Sequence, residues 1–269
     1  MSEENLNQTE ETTAKAEVAK KKKKNLNTVL LILSILFLVV GVLCLLVEPY
    51  KAWRRRTISA EAVEAIQSEI EDTMITMGDD AVVTYVVPKN GNEVAGETYD
   101  YYGLDDVAQS SLEAEIEENE ENLPDDIVLE CVGILDIDKI DVHLPIWDGT
   151  SKYALRYGVG LYEGSVTPGE DGNSSILGHH ARDTKTIFYR IGELKVGDTF
   201  TVTLVSGRVL TFKINKIKIV PPSELIENIE ADAAEDVKQC TLVTCVGEYG
   251  VGYRMLFIAE MVDEEADAG

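Results

Sequence analysis

The sequence is poor in the residues on which crosslinked, metal-bound and nucleic-acid-binding proteins depend. Its four cysteines, Cys44, Cys131, Cys240 and Cys245, are too few and too scattered for a disulfide framework. No pair of them has the spacing of metal ligands. Basic residues are also scarce: 24 Lys and Arg stand against 49 Asp and Glu, which gives a formal net charge of −25. Apart from one lysine run nothing neutralises phosphates, so the composition argues against nucleic-acid binding.

Histidine is scarce as well. The chain contains only His143, His179 and His180, so a mechanism that needs an imidazole must use one of these three. Adjacent residues of a strand point to opposite faces of a sheet. His179 and His180 are therefore poor ligands for a common metal ion, and the sequence predicts no metal site.

One long apolar run lies near the N-terminus. Residues 1–25 are polar, end in five lysines and lack apolar periodicity, which predicts a disordered cytoplasmic tail. Residues 26–48 are mostly apolar, and about 20 such residues in a helix span the ~30 Å hydrocarbon layer. The run is longer than the ~7–15-residue core of a signal peptide, and the bulky Leu43 disfavours a lipoprotein signal at Cys44. We therefore expect an uncleaved, single-pass transmembrane anchor.

The charges on either side of this anchor predict its orientation. Six lysines precede it, and one lysine and three arginines follow it. The side with more basic residues tends to stay in the cytoplasm. We expect a cytoplasmic N-terminus and an extracellular remainder at the cell membrane.

Residues 49–126 are expected to form a helical and acidic extracellular spacer, or a lid over an active site. Residues 59–77 carry an apolar stripe at helical spacing, with Ser59 as a candidate N-cap. Residues 81–87 have the composition of a strand. Residues 113–126 are strongly acidic, and a solvated stalk is the simplest interpretation of that stretch.

From residue 127 to residue 263 the pattern becomes β-rich. The predicted strands are 127–137, 140–147, 174–177, 199–205, 209–220, 239–246 and 252–262, with short helices at 151–157 and 223–237. Many short strands separated by Gly, Pro and Asp turns indicate a closed barrel or a sandwich. Residues 264–269 are predicted as an acidic tail.

Cys245 is the candidate nucleophile. It ends a predicted strand, Thr241–Cys245, and a Gly-rich loop follows it. A thiol at the end of a strand, beside a loop, can be reached by a substrate. The alternative is a buried structural cysteine.

His179 and Arg254 are the candidate partners of Cys245. His179 follows Gly178 at the end of a short predicted strand, and an imidazole can polarise a thiol or protonate a leaving amine. A surface or metal-binding histidine pair is the alternative. Arg254 opens the last predicted strand, where a buried charge is costly unless it is paired or faces a site. It could donate to a developing oxyanion, or it could be a rim arginine paired with an acid such as Glu248.

These motifs together resemble the sortase family. The resemblance is carried by Gly178-His179, by the Thr-Leu-Val-Thr-Cys run at 241–245 and by Arg254 at the start of the final strand. The segments 140–151 and 188–198 extend it, so that it covers roughly residues 127–262.

The resemblance implies a mainly β fold, an eight-stranded barrel, and a cysteine transpeptidase. Cys245 would attack the Thr–Gly bond of an LPXTG-like sorting signal on a secreted protein, with His179 as acid/base and Arg254 stabilising the reacting carbonyl. Thr244 and Gly178 are candidate substrate-positioning residues. The thioacyl enzyme would then react with an amine, from a cell-wall precursor or a pilin lysine. No cofactor is implied, and calcium sensitivity stays open.

The subclass stays open between class C-like and class D-like or housekeeping enzymes. The short spacing from Cys245 to Arg254 and the Pro221-Pro222 loop resemble class C, whereas an Asp-Pro-aromatic lid motif is missing. Two rival functions remain: a hydrolytic cysteine peptidase, and a membrane-anchored binding module in which Cys245 is structural.

Overall fold

The structure is a computed structural model that describes residues 3–76, 82–88, 126–181, 186–230, 237–246 and 252–266. The chain divides into two compact units, Met1–Tyr50 and Lys51–Gly269. The first helix, α1 (Glu3–Thr76), begins in the first unit and ends in the second. The predicted acidic stretch 113–126 lies outside the described residues except for its last residue.

The first unit is helical and apolar in its second half. Leu30–Val47 are all exposed, and within the part of the chain that is described α1 is the one helix long and apolar enough to cross a membrane. The segment predicted as a disordered tail differs from expectation, because residues 3–25 belong to α1. That segment is rich in Ala, Glu and Lys, which are strong helix formers.

The second unit consists mainly of strands. These are β1 (Val83–Pro88), β2 (Asp126–Ile137), β3 (Val142–Asp148), β4 (Val159–Leu161), β5 (Gly172–Leu177), β6 (His180–Ala181), β7 (Thr186–Ile187), β8 (Thr199–Leu204), β9 (Arg208–Val220), β10 (Lys238–Val246) and β11 (Tyr253–Ala266). Two short helices, α2 (Lys152–Tyr157) and α3 (Leu225–Ile229), and three 3-10 turns connect them.

Eight of these strands close into a barrel, as predicted. Their order is β2-β3-β4-β5-β10-β11-β9-β8, and β8 pairs back onto β2. Most neighbours are antiparallel, but β3–β4 and β5–β10 are parallel. Closure leaves no free edge in the ring, and it places the parallel pair β5–β10 beside the antiparallel pair β10–β11.

The barrel interior and its outer surface have separate cores. Inside, aromatic and aliphatic side chains from all eight strands pack together, with Phe200 and Phe212 stacked at 5.4 Å between ring centroids. Outside, one cluster joins Leu177, Val243 and Leu256 to α3. Alternation along each strand sends successive side chains to these two sides.

A second outer cluster fastens the end of α1 and β1 to the barrel. Val63, Ile66 and Ile70 lie on one stripe of α1 and pack against residues of β1, β2 and α2. Strand β1 pairs with the first half of β2, Val83 opposite Cys131. The described part of the predicted spacer is therefore packed on the barrel rather than separate from it. The helical stripe is confirmed as far as Ile70.

Several local expectations are wrong. Ser59 is not an N-cap: it lies within α1, and its Oγ donates a hydrogen bond to Tyr157 O at 2.8 Å. The predicted helix 223–237 begins as a 3-10 turn followed by α3, which ends at Ile229, and residues 231–236 of that prediction lie outside the described residues. Residues 264–266, predicted as tail, continue β11 and pair with β9. The sequence did not predict β4, β6 and β7, which are two or three residues long.

Candidate active site

Strands β10 and β11 carry Cys245 and Arg254, and His179 follows the neighbouring strand β5. In the antiparallel pair β10–β11, Cys245 lies directly opposite Arg254. In the parallel pair β5–β10, Leu177 lies opposite Val243. This pair is the last of the register, because β5 ends at Leu177. His179 is two residues beyond Leu177 and Cys245 is two residues beyond Val243, so a continuation of the register would set them level. Neighbouring strands are about 4.8 Å apart, and the three strands lie in the order β5, β10, β11.

The sulfur of Cys245 lies on the outer side of the barrel. Cys245 packs at the edge of the outer cluster formed by Leu177, Val243 and Leu256 and is half-buried. A residue opposite it in an antiparallel pair projects from the same face of the sheet. The guanidinium of Arg254 therefore shares this face with the thiol.

The other thiols differ from Cys245 in their accessibility. Cys240 is fully buried in the barrel interior, and burial raises the pKa of its thiol. Cys131 is also buried, which raises its pKa to about 12, and its Sγ donates to Gly133 O at 3.3 Å. Cys44 is exposed on the apolar part of α1. A thiolate is the reactive form of cysteine, so Cys131 and Cys240 are poorly suited to act as nucleophiles.

Arg254 is held at the start of β11. Its side chain is almost fully buried, and Nη1 donates a hydrogen bond to Gly252 O at 2.6 Å. On its other side the backbone of Arg254 pairs with Val220 of β9. A guanidinium carries five donors in a fixed planar fork, a geometry that suits hydrogen bonding to a developing oxyanion.

The segments before His179 and Cys245 are tied to each other. Thr244 Oγ1 donates to Gly178 O at 2.8 Å, and Gly178 N donates to Val243 O at 3.0 Å. Thr244 has no exposed surface. Its hydroxyl therefore holds the histidine segment against β10, which differs from the expected contact with substrate.

Gly178 is required by close packing. A Cβ at this position would lie 2.5 Å from two ring carbons of Phe188 and 3.0 Å from Val159 Cγ1. Real Cβ atoms do not approach ring carbons so closely, so any larger residue would displace the ring or the backbone. Gly178 thus lets the chain turn under Phe188 immediately before His179.

The chain forms a short two-stranded hairpin, β6–β7, directly after His179. His180 pairs with Ile187 in the two-stranded sheet β6–β7, and Phe188 N donates to His179 O at 3.1 Å. Ile187 has a φ of 52°. This left-handed conformation is costly for a β-branched residue, and such strain tends to occur at functional sites.

The other two histidines have different surroundings from His179. His180 Nε2 lies 3.1 Å from Tyr189 O, and its ring stacks on Tyr189 with centroids 6.1 Å apart. His143 Nδ1 pairs with the carboxylate of Asp136 on a different part of the barrel. Of the three, His179 lies nearest in the chain to the end of β5, the parallel neighbour of the strand that carries Cys245.

A buried polar network, which the sequence analysis did not predict, connects the strands that carry the candidate site. Thr241 Oγ1 donates to Asn173 Oδ1 at 2.9 Å, Asn173 Nδ2 donates to Ile229 O at 2.9 Å, and Ser175 Oγ donates to the same oxygen at 3.1 Å. The network joins β5, β10 and the end of α3. Polar residues inside two otherwise apolar strands are the sequence signal that could have indicated it.

No metal site accompanies this arrangement in the described ranges. Among residues 3–76, 82–88, 126–181, 186–230, 237–246 and 252–266, no three His, Cys, Asp or Glu side chains are grouped so that they could hold a metal ion.

The family follows from likeness to known proteins. Residues 135–262 match the sortase domain model. Sortase D of Bacillus subtilis (strain 168) is 46% identical over 88 residues, 33% of this chain and 42% of the relative. The chain belongs to the sortase family. The matched region of this sortase contains His179, Cys245 and Arg254.

Further relatives have lower identity or partial coverage. Sortase A of Streptococcus agalactiae serotype III is 26% identical over 57% of this chain and 60% of its own. The X-ray structure of sortase C from Clostridium perfringens SM101 is 33% identical over 49% of this chain and 70% of that one, with a TM-score of 0.43. This sortase spans 42% and 60% of the length of the two curated relatives. The match to a sortase D fits the class C- or D-like resemblance.

Proposed function

We propose that this sortase is a membrane-anchored cysteine transpeptidase. It cleaves an LPXTG-like sorting signal between Thr and Gly and transfers the acyl group to an amine. The register that sets Cys245 opposite Arg254, on the strand whose parallel neighbour β5 ends two residues before His179, is the observation that carries the proposal. Those residue types supply the nucleophile, the oxyanion donor and the acid that acyl transfer needs.

The reaction has two halves. The thiolate of Cys245 attacks the threonine carbonyl, and the guanidinium of Arg254 donates hydrogen bonds to the oxyanion that forms. His179 protonates the glycine amine as the C–N bond breaks, which leaves a thioester. An acceptor amine then attacks the thioester, loses a proton to His179 and expels the thiolate. Thioesters react readily with amines, so no cofactor is needed for either half.

The cellular setting follows from the apolar segment. We propose that residues 26–48 anchor the enzyme with its N-terminus in the cytoplasm, since the basic residues are more numerous on that side. The barrel then faces secreted proteins that carry a sorting signal. The acceptor is an amine of a cell-wall precursor or a pilin lysine, and the 46% identity to a sortase D supports a class D-like enzyme.

The products of the reaction distinguish acyl transfer from hydrolysis. The full chain, in non-ionic detergent, is incubated with an LPXTG-like peptide, with and without an added glycine-based amine, and the products are identified by mass spectrometry. We expect ligated peptide with the amine and slow hydrolysis without it. A peptide with a scrambled signal serves as the control. Hydrolysis that persists at saturating amine would identify a peptidase, and absence of cleavage across a panel of sorting signals would refute both functions.

Thr244 is expected to position the catalytic histidine. Thr244→Val keeps the side-chain shape but removes the donor to Gly178 O, and we expect it to lower the free energy of unfolding by about 1–3 kcal/mol. The rate of peptide cleavage should fall with it because the segment before His179 is released from β10. Thr244→Ser retains the donor and should restore both. Urea unfolding and peptide cleavage measured on the same samples check this, and full activity in Thr244→Val would contradict it.

A further inference from the structure

The helix α3 lies on the outer face of the barrel, on the same side as Cys245. Its residues Leu225 and Ile229 are fully buried, and they belong to the outer cluster against which Cys245 also packs. A peptide that reaches the sulfur of Cys245 from the outer side of the barrel therefore meets this helix. The position of α3 affects how such a peptide can bind.

The helix α3 is too short to hold this position by itself. It has five residues, Leu225–Ile229, whereas isolated helices shorter than about 12 residues are marginal in water. The last carbonyl groups of a helix also have no partner within the helix. Contacts with the barrel therefore decide where the C-terminal end of α3 lies.

Two polar side chains of β5 bind that end of α3. Asn173 Nδ2 donates a hydrogen bond to Ile229 O at 2.9 Å, and Ser175 Oγ donates to the same oxygen at 3.1 Å. The amide of Asn173 is in turn oriented by Thr241 of β10, whose Oγ1 donates to Asn173 Oδ1 at 2.9 Å. The carbonyl of Ile229 is thus tied to β5 directly and to β10 through Asn173.

This network lies on the face of the sheet that carries Cys245, but at a distance from the sulfur. In the register of β5 and β10, Thr241 is opposite Ser175, and Val243 is opposite Leu177. Cys245 is four residues beyond Thr241, which is about 13 Å along a strand. The hydroxyl of Thr241 is therefore too far from the sulfur to act on the reacting atoms.

The three polar side chains of the network are almost completely buried. Asn173 is 6% exposed, and Ser175 and Thr241 have no exposed surface. Burial of such groups costs free energy that their hydrogen bonds offset, so apolar side chains could fill the same space at similar stability. A fully hydrogen-bonded buried network adds one defined arrangement of the groups that it connects.

We propose that Asn173, oriented by Thr241, is a positioning residue for the peptide substrate, and that it acts through Ile229 O by fixing α3 beside Cys245. The inference rests on the proposed function, because it concerns the peptide that the enzyme cleaves. Without the network α3 shifts on the outer cluster, while the thiol keeps its place in β10. The effect is therefore on KM for the peptide, and not on kcat or on the reactivity of the thiol.

Thr241→Val and Thr241→Ser form a matched pair that tests this in the full chain in non-ionic detergent. Thr241→Val keeps the side-chain shape and removes the donor to Asn173 Oδ1. KM for a sorting peptide should rise about three- to tenfold, the effect of one lost hydrogen bond, with kcat within about twofold of the parent value. Thr241→Ser retains the donor and should restore the parent KM. Iodoacetamide should alkylate Cys245 at the parent rate in both variants.

Two further variants separate positioning from a general loss of stability. Cys240 is fully buried on the same strand but faces the barrel interior, so Cys240→Ala should lower the melting temperature and leave KM unchanged. Ser175→Ala is a smaller change that removes one of the two donors to Ile229 O, and it should raise KM even if Thr241→Val does not fold.

The outcomes distinguish this inference from the proposed function. If the parent chain cleaves, an equal rise of KM in Cys240→Ala, or an unchanged KM in the folded Thr241→Val and Ser175→Ala variants, would overturn the inference alone. A parent chain that cleaves no sorting peptide would refute the proposed function and this inference with it.

Discussion

Replacing Cys245 with alanine is expected to reduce cleavage of a sorting peptide by more than about 10³-fold, because removal of a nucleophile abolishes the covalent route. The substitution should alter the free energy of unfolding by no more than about 1 kcal/mol, since Cys245 is half-buried at the edge of the outer cluster. Peptide cleavage and urea unfolding of the full chain measure the two effects. A stable Cys245→Ala variant that still cleaves would exclude this thiol as the nucleophile.

Cys240 provides the matched control for that experiment. It lies on the same strand, but it is fully buried in the barrel interior. Cys240→Ala should lower stability by about 1–2 kcal/mol through the small cavity it creates, and the activity of the folded fraction should be unchanged.

The difference in accessibility between Cys245 and the buried thiols can also be measured with a thiol reagent. In a Cys44→Ser background at pH 8, we expect iodoacetamide to modify Cys245 and to leave Cys131 and Cys240 unmodified until the protein unfolds. Burial raises the pKa of Cys131 to about 12 and that of Cys240 further, so neither forms thiolate at that pH. Mass spectrometry of the modified peptides locates the label. Modification of Cys240 in the native protein at the rate of Cys245 would contradict this view of the site.

The local part of the site is predictable from the sequence. Cys245 and Arg254 are nine residues apart on two apolar segments joined by a Gly-rich loop, a spacing that indicates an antiparallel pair. The observed register sets the two residues directly opposite each other. Local spacing suffices here because a short connection leaves two neighbouring antiparallel strands few alternative registers in which to pair.

The position of His179 relative to Cys245 depends on a long-range pairing that spacing does not encode. More than 60 residues separate Leu177 from its parallel neighbour Val243. Only the resemblance to a family, and not the pattern of residues, could place β5 beside β10. The tie between Thr244 and Gly178 was missed for the same reason: a threonine within an apolar strand has no visible partner until the neighbouring strand is known.

Other misses arise where tertiary packing outweighs local signals. Ser59 has the chemistry of an N-cap, but α1 continues through it and its hydroxyl bonds to Tyr157 O. The strand β4 has three residues, one of them Gly160, which is too short to produce an alternation pattern. A Cβ on Gly160 would lie 2.4 Å from Gly149 O, so the glycine there is explained by the close approach of a neighbouring segment.

His179→Ala is expected to lower the rate of peptide cleavage about 10²–10⁴-fold, the range that a general acid–base contributes, whereas His180→Ala should lower it less than about tenfold. The two residues are adjacent, so they share their local backbone and differ mainly in what their rings face. His179 is the nearer of the two to the end of β5, the parallel neighbour of the strand that carries Cys245. The ring of His180 stacks on Tyr189, and its Nε2 lies 3.1 Å from Tyr189 O.

The comparison of these two variants tests the assignment of the acid independently of the nucleophile. Steady-state cleavage of one sorting peptide gives kcat and KM for each, and thermal unfolding shows whether each is folded. His180→Ala removes a ring contact and one hydrogen bond, so its main effect should be on stability, about 1 kcal/mol. His179→Ala should act on kcat with little change in melting temperature, because His179 is only half-buried. Equal losses of kcat at both positions would mean that the hairpin formed by β6 and β7, rather than the imidazole of His179, is what the reaction requires.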